Sequence, residues 1–389
     1  MRSARKPVPD VVAPLPDGAA RLVPHAGSIA PIFLIALTGG LTALIVAAPL
    51  MVYSVTLATF GAAHVLSELR YVDRRFGRRL PVRQIVLMAL FLAGAVAARA
   101  SGLFGLVDPA KALMLELSCV VALALSAAAG GVAQRALALA IAGGLGLATA
   151  FAPFDTAVSL SILHNLTPLA LIWEITPAPA RRRVMPLALL AFLVLPLLVA
   201  SGLPRLALQA AGLSGPGLDP IGAGTLEDHL YVYVPRPLLG GASAVDLFSA
   251  SVVAQCAHYA AVILVLPMLL ARRDPQARGL VPWPRGGVFA LMVAGVSAFV
   301  LYRFTTGFVP ARALYGLAAS VHAWIEIPLI IIALTARSQA TISMPSAPEA
   351  TLAASDTAKA CRAASPPAHP MMAASTTTTT ASAASTTAT

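Results

Sequence analysis

Apolar segments about 20 residues long, separated by short polar breaks, recur from residue 29 to residue 336. That length is what an α-helix needs to cross the hydrocarbon core of a bilayer. No other feature limits the fold as tightly. In hydrocarbon every backbone N–H and C=O must find its partner within the protein, so a chain of such segments folds as a bundle of membrane-spanning helices. The segments fall at 29–48, 50–71, 84–104, 111–133, 135–152, 155–177, 184–203, 246–271, 286–306 and 311–336, giving an all-α, polytopic integral membrane bundle of ten helices. Residues 29–71 run almost without interruption, too long for one crossing, and Pro49, which interrupts helical hydrogen bonding, is where the chain turns. Composition agrees: 11% of residues are charged, against about 25% in a soluble domain, and mean hydropathy is +0.82.

Charge orients the bundle. With ten spans and both termini cytoplasmic, 21 of the 27 basic residues fall on the cytoplasmic side; the exceptions are Arg99, Lys111, Arg205, Arg236, Arg303 and Arg312. This is the positive-inside pattern, and it points to the inner (cell) membrane of a bacterial-type cell. The net charge of +11 then reads as orientation signal and attraction to anionic membrane lipids, with no nucleic-acid partner required. Residues 1–28, polar and proline-rich, read as a cytoplasmic leader, and 337–389, rich in Ala, Ser and Thr, as a disordered tail. Cys119, Cys256 and Cys361 form neither a disulfide framework nor a CxxC pair. The long connection 204–245 is expected on the extracytoplasmic side. Its alternating Tyr231 and Tyr233 suggest an extended or interfacial strip.

Four of the seven histidines lie inside predicted spans: His64, His164, His258 and His322. All four spans are even-numbered and run from outside to inside. Counted from the cytoplasmic ends, three of these histidines are near mid-membrane, and His64 is about 10 Å shallower. An ionisable residue at membrane depth is a functional-site candidate by default. Carboxylates accompany the set: Glu68 follows His64 and Glu326 follows His322 at the helical i+4 spacing, and Glu174 lies farther along the helix of His164. Imidazole is the commonest metal ligand, and its second nitrogen usually donates to a carboxylate or carbonyl. The four histidines are therefore read as ligands of one divalent ion, with Glu68, Glu326 and Glu174 as supporting catalytic carboxylates, either behind the ligands or beside them. Nitrogen and oxygen donors without a thiolate suit iron, copper, zinc or manganese. Pro168 lacks the N–H that would bond the His164 carbonyl, so the helix should bend there and leave that carbonyl free.

Blander readings stand beside these. Glu68 has Arg70 and Arg74 within reach on its own helix, and Glu116, Asp155 and Asp246 fall near outer helix ends, where carboxylates cap or are solvated. His25, His229 and His369 lie in the tails or the long loop and are set aside.

A multi-span bundle with four intramembrane histidines resembles the Brp/Blh family of membrane β-carotene dioxygenases. The likeness implies non-haem iron held by histidines and oxidative cleavage of a polyene. The segment around His64 reads HVLSELRYV, with Glu68 where that family carries a second histidine nearby. The expected function is thus a membrane-embedded, metal-dependent oxygenase acting on a lipophilic small molecule such as a carotenoid, terpenoid or acyl chain. A haem-binding redox protein and an ion-coupled transporter are the alternatives, since both place histidines within membranes.

Overall fold

The computed structural model describes residues 29–241 and 243–342. The expected leader, 1–28, and the expected tail beyond 342 lie outside the described residues. The chain is an all-α polytopic membrane bundle. α1 (Ile29–Ala47) and α2 (Pro49–Phe76) are separated at Ala48, and Pro49 opens α2, where its missing N–H costs nothing. α3 (Val82–Leu103) packs along α4 (Pro109–Ser126). Asp108 starts α4 by accepting from the N–H groups of Ala110 (3.0 Å) and Lys111 (3.1 Å). α5 (Val132–Phe151) leads to α6 (Pro153–His164) and α7 (Thr167–Ile175), one crossing in two pieces. α8 (Ala178–Leu189) and α9 (Leu195–Ala200) form the next, and α10 (Leu203–Ala210) follows a left-handed turn at Gly202 (φ 77°). After the short α11 (Glu227–Leu230), α12 (Ser243–Ala260) and α13 (Leu266–Arg273) make one crossing, followed by α14 (Gly286–Thr306) and α15 (Phe308–Ile342).

Nine crossings among the described residues are long and apolar enough to span a bilayer; α1 takes the place of the tenth, with Ala36–Ala47 a shorter apolar helix within it. Helix ends differ from the expected segments where apolar pattern stops before helical hydrogen bonding does. α2 runs on through its arginines to Phe76, and α15 continues to Ile342.

Two crossings contain π-helical turns, Leu190–Val194 and Ala261–Val265. Pro196 and Pro267 follow directly, and a proline cannot bond the carbonyl four residues before it. The wider turn absorbs that defect without breaking the rod.

Two apolar cores divide the bundle along its length. One gathers Leu50, Tyr53 and Leu57 of α2, Phe248 and Val252 of α12, and Phe308 and Ala311 of α15. The other gathers Tyr71, Val72 and Phe76 of α2, Val262 and Leu266 after α12, and Trp324 and Leu329 of α15. On each of these three helices the histidine falls between the two stretches. A polar layer is therefore sealed between two apolar ones.

The arginine-rich end is tied together by named pairs. Arg75 Nε donates to Glu174 Oε2 at 3.0 Å, its Nη2 contacts Oε1, and Arg273 Nη1 donates to the Glu174 carbonyl at 3.1 Å. At the opposite end Arg205 holds Asp246 through two bonds of 2.7 and 3.0 Å. Asp246 is thus buried and paired, not the solvated cap expected from its position. Asp155 accepts from the Arg236 backbone N–H at 3.0 Å.

Candidate metal centre

Four separate crossings deliver one histidine each: α2 His64, α6 His164, α12 His258 and α15 His322. Their candidate ligand atoms all lie within 4.8 Å of one another. His64, at 3% exposure, is as buried as His258 and His322, so the shallower position expected for it is corrected by the length of α2, which extends the helix beyond residue 71. His322 Nε2 is the hub, 3.2 Å from His64 Nε2 and 3.1 Å from His164 Nε2. A single ring nitrogen carries either one hydrogen or one lone pair, so it cannot satisfy two other ring nitrogens by hydrogen bonding. A cation shared by lone pairs resolves the conflict. Nitrogens bound at about 2.0–2.1 Å in tetrahedral geometry lie about 3.3–3.4 Å apart, close to the spacing seen. The residues fit a metal ion.

Local structure explains how each imidazole is aimed. α6 ends at His164 because Pro168 cannot bond the His164 carbonyl, as the sequence predicts; the Thr167 hydroxyl reaches that carbonyl instead, at 2.7 Å. The freed turn lets the His164 ring reach across to α15. There its Nδ1 meets Glu326 Oε2 at 2.6 Å, and Thr167 Oγ1 lies 2.8 Å from both carboxylate oxygens. A carboxylate there fixes the proton on Nδ1 and leaves the Nε2 lone pair for the centre. His64 stacks on Tyr259, ring centroids 4.2 Å apart at 22°. Gly61, one turn earlier on α2, makes room for Tyr315: a Cβ at 61 would approach its ring to 3.0 Å.

Glu68 and Glu326 stay side by side at the centre, and Glu174 lies apart from them. Glu326 lies behind His164 of α6, not beside His322 of its own helix, the partner that the i+4 spacing suggests. Glu68, fully buried, turns inward: its Oε2 is 3.2 Å from His258 Nε2 and 4.0 Å from His322 Nε2. It faces the centre itself and forms no ion pair with Arg70 or Arg74 among the described residues. Glu174 is not brought to the cluster. It is paired with Arg75, because α7 runs away from the break at His164 toward the arginine-rich end. That expectation is corrected.

A cavity of about 260 Å³ reaches His64, His164 and His322, with Tyr259, Tyr315 and Gln255 in its wall. Val232 and Tyr233 line it too, and Tyr233 donates its hydroxyl to Gln255 Oε1 at 2.7 Å. The segment expected to be an extended strip is instead a short helix and turn, with Leu230, Tyr233 and Val234 buried. His229, set aside on sequence, is fully buried as well. Its Nε2 donates to Ala223 O at 2.9 Å and its Nδ1 accepts from Arg312. Glu116 is no surface cap either: it accepts from Arg99 Nε (2.8 Å) and Trp324 Nε1 (2.9 Å), locking α15 two residues from His322. Tyr259 was available to sequence reading as the neighbour of His258. Nothing in the local sequence announced Glu116 or His229.

No protein-family model, no curated protein and no solved structure matches this chain, so the arrangement of four helices around one imidazole cluster is the ground on which its function is inferred.

Proposed function

We propose that the protein is a membrane-embedded non-haem metalloenzyme of the oxygenase type, using iron(II) to transform a lipophilic substrate, with an architecture akin to the Brp/Blh carotenoid-cleaving enzymes. The observation that carries this reading is the meeting of three Nε2 atoms at 3.1–3.2 Å, with the carboxylate of Glu68 beside them. Such a donor set of imidazoles and one carboxylate suits iron(II), which when bound supplies dioxygen activation at positions the protein leaves open. The protein's own residues do the rest. Glu326 holds His164 in one tautomer, the two apolar cores keep bulk water from the layer, and the cavity walls of Tyr259 and Tyr315 offer flat faces to an unsaturated chain. The cavity is small for a whole carotenoid and fits the reacting stretch of a longer molecule. On the charge pattern, we place the enzyme in an inner (cell) membrane of bacterial type.

The spacing argues against haem. Two axial imidazoles of one haem face each other across a flat macrocycle, whereas here all four candidate ligand atoms crowd within 4.8 Å of one another. Two stacked haems would need histidine pairs at separate depths.

Metal analysis of the purified protein with its absorption spectrum tests the reading. About one iron per chain and no Soret band is the expected result; a Soret band, or a protein that binds no transition metal under anaerobic reconstitution, overturns it. Polyene-dependent oxygen uptake by the iron-loaded protein then tests the substrate class.

A further inference from the structure

Arg70 and Arg74 near the end of α2, and Arg78 in the 3-10 turn Gly77–Arg79 that continues it, recur every fourth residue along one side. Each is fixed by the connection between α13 and α14: Arg70 Nη2 donates to Pro284 O at 3.2 Å, Arg74 Nε to Ala277 O at 3.0 Å, and Arg78 Nε to Gly279 O at 2.9 Å. Asp73 pins the same connection by accepting from the N–H groups of Leu280 (2.8 Å) and Val281 (3.1 Å) and from Trp283 Nε1 (2.9 Å). The connection adds Arg278 and Arg285, both exposed. Together the five guanidinium groups surround a pocket of about 340 Å³ that has no carboxylate in its lining.

Through Arg70 and Arg74 this pocket continues into a groove of about 470 Å³ between α2, α13 and α14, walled by Ile263, Pro267 and Val293. Phe60 and Ala294 at its margin are exposed, so the groove faces outward from the bundle. Its lining carries three buried polar atoms without a hydrogen-bond partner among the described residues: Tyr71 Oη, Ser297 Oγ and Arg70 Nε. Tyr71 as a whole is 2% exposed. A buried hydroxyl left without a partner favours any ligand that brings one. Neither pocket shares a lining residue with the metal-centre cavity.

We propose that pocket and groove form a binding site for one acidic phospholipid, with the phosphate on the arginines and an acyl chain along the groove. The balance of charge selects the headgroup: five guanidinium groups against the one carboxylate of Asp73, which is held by backbone N–H groups and Trp283, favour a net anion over a zwitterion, and guanidinium pairs with phosphate through two parallel bonds. The apolar continuation selects a lipid over a soluble anion. Basic pockets between helices on the cytoplasmic side are where acidic headgroups bind, and this is the end that the positive-inside pattern assigns to the cytoplasm. The site stands independently of whether the histidine cluster holds a metal.

Native mass spectrometry of the full chain, taken from phosphatidylcholine vesicles with and without phosphatidylglycerol, tests it. One phosphatidylglycerol should remain per chain, favoured about tenfold or more over phosphatidylcholine. Arg278→Gln with Arg285→Gln should lower that retention about tenfold; both side chains are exposed and make no hydrogen bond among the described residues, so the fold should persist. Ala294→Trp, which fills the groove and leaves every arginine in place, should lower it as well. Size-exclusion profile and circular dichroism confirm folding, and either variant alone suffices to decide. Equal retention of phosphatidylcholine, unchanged retention in a folded variant, or displacement of the lipid by inorganic phosphate would overturn the proposal, the last in favour of a soluble-anion site.

Discussion

Glu326→Gln separates charge from shape at the metal centre. The carboxylate accepts from His164 Nδ1 at 2.6 Å and is 1% exposed, so its interaction with the imidazole is little screened by water. A hydrogen bond to a charged group contributes about 1.5–3 kcal/mol and a neutral one about 0.5–1.5 kcal/mol. Replacing the carboxylate by an isosteric amide therefore removes about 1.4 kcal/mol from the metal-bound state, where the polarised imidazole donates most strongly, and weakens metal binding about tenfold. Glu326→Ala removes the bond altogether and leaves Nδ1 buried and unpaired, for a loss nearer a hundredfold, the upper end for partners behind a ligand. Competition titration against a chelator of known stability, in detergent, measures both. Wild-type affinity in the two variants would refute the assignment of Glu326 as the partner that fixes His164.

Alanine at His64, His164, His258 or His322 should each cut bound metal at least about tenfold, measured by elemental analysis of monodisperse protein; wild-type content in any one removes that histidine from the set. Arg75→Ala removes the guanidinium that holds the Glu174 carboxylate at 10% side-chain exposure, and should destabilise the protein by up to about 3–5 kcal/mol, whereas Arg75→Met with Glu174→Leu recovers most of the loss; thermal unfolding of the three proteins checks this. His229 gives a pH dependence. Burial holds its pKa below the ordinary value, its bond to the Ala223 carbonyl opposes that shift, and the facing Arg312 adds to it, with Asp228 and Asp219 the nearest acids in opposition. The folded state thus prefers the neutral ring, so the stabilisation is present above the ordinary histidine value of about 6.5 and is lost as pH falls below it. The protection factors of the amides across 227–234, with the intrinsic pH dependence of exchange divided out, should fall between pH 7.5 and 5, and His229→Gln should flatten that response; protection independent of pH in the parent protein would contradict it.

Much of this architecture is legible in the chain because a bilayer leaves so few choices. Segment length alone separates the crossings, and Pro49 and Pro168 mark the two breaks that matter, since a missing N–H has the same consequence in any context. The four histidines could be grouped because direction follows from the arginine pattern and depth follows from rise per residue. Partnership across helices could not be read that way. The i+4 spacing pairs Glu326 with His322, but helix rotation turns it to His164, and rotation is decided by packing of the two apolar cores. Glu174 shares the helix of His164 in sequence, yet the break at Pro168 redirects it to Arg75. Glu116 and His229 stayed hidden for the same reason: their partners, Arg99, Trp324, Arg312 and Ala223, come from distant segments. The π-helical turns were invisible as well, because a proline says that one hydrogen bond is lost and not how the backbone accommodates it.

The π-helical turn after His258 has a rotary consequence. Each residue advances an α-helix by about 100°, and the wider turn interposes one extra position without a matching advance in the hydrogen-bonding frame. It works as a phase shifter between the two halves of the crossing: His258 can point at the cluster while Leu266 and Leu270 keep their own bearing in the second core. Wound as regular α-helix with the same residues, the crossing would swing one half by about 100° relative to the other. The chain would then have to choose between aiming its imidazole and closing its core.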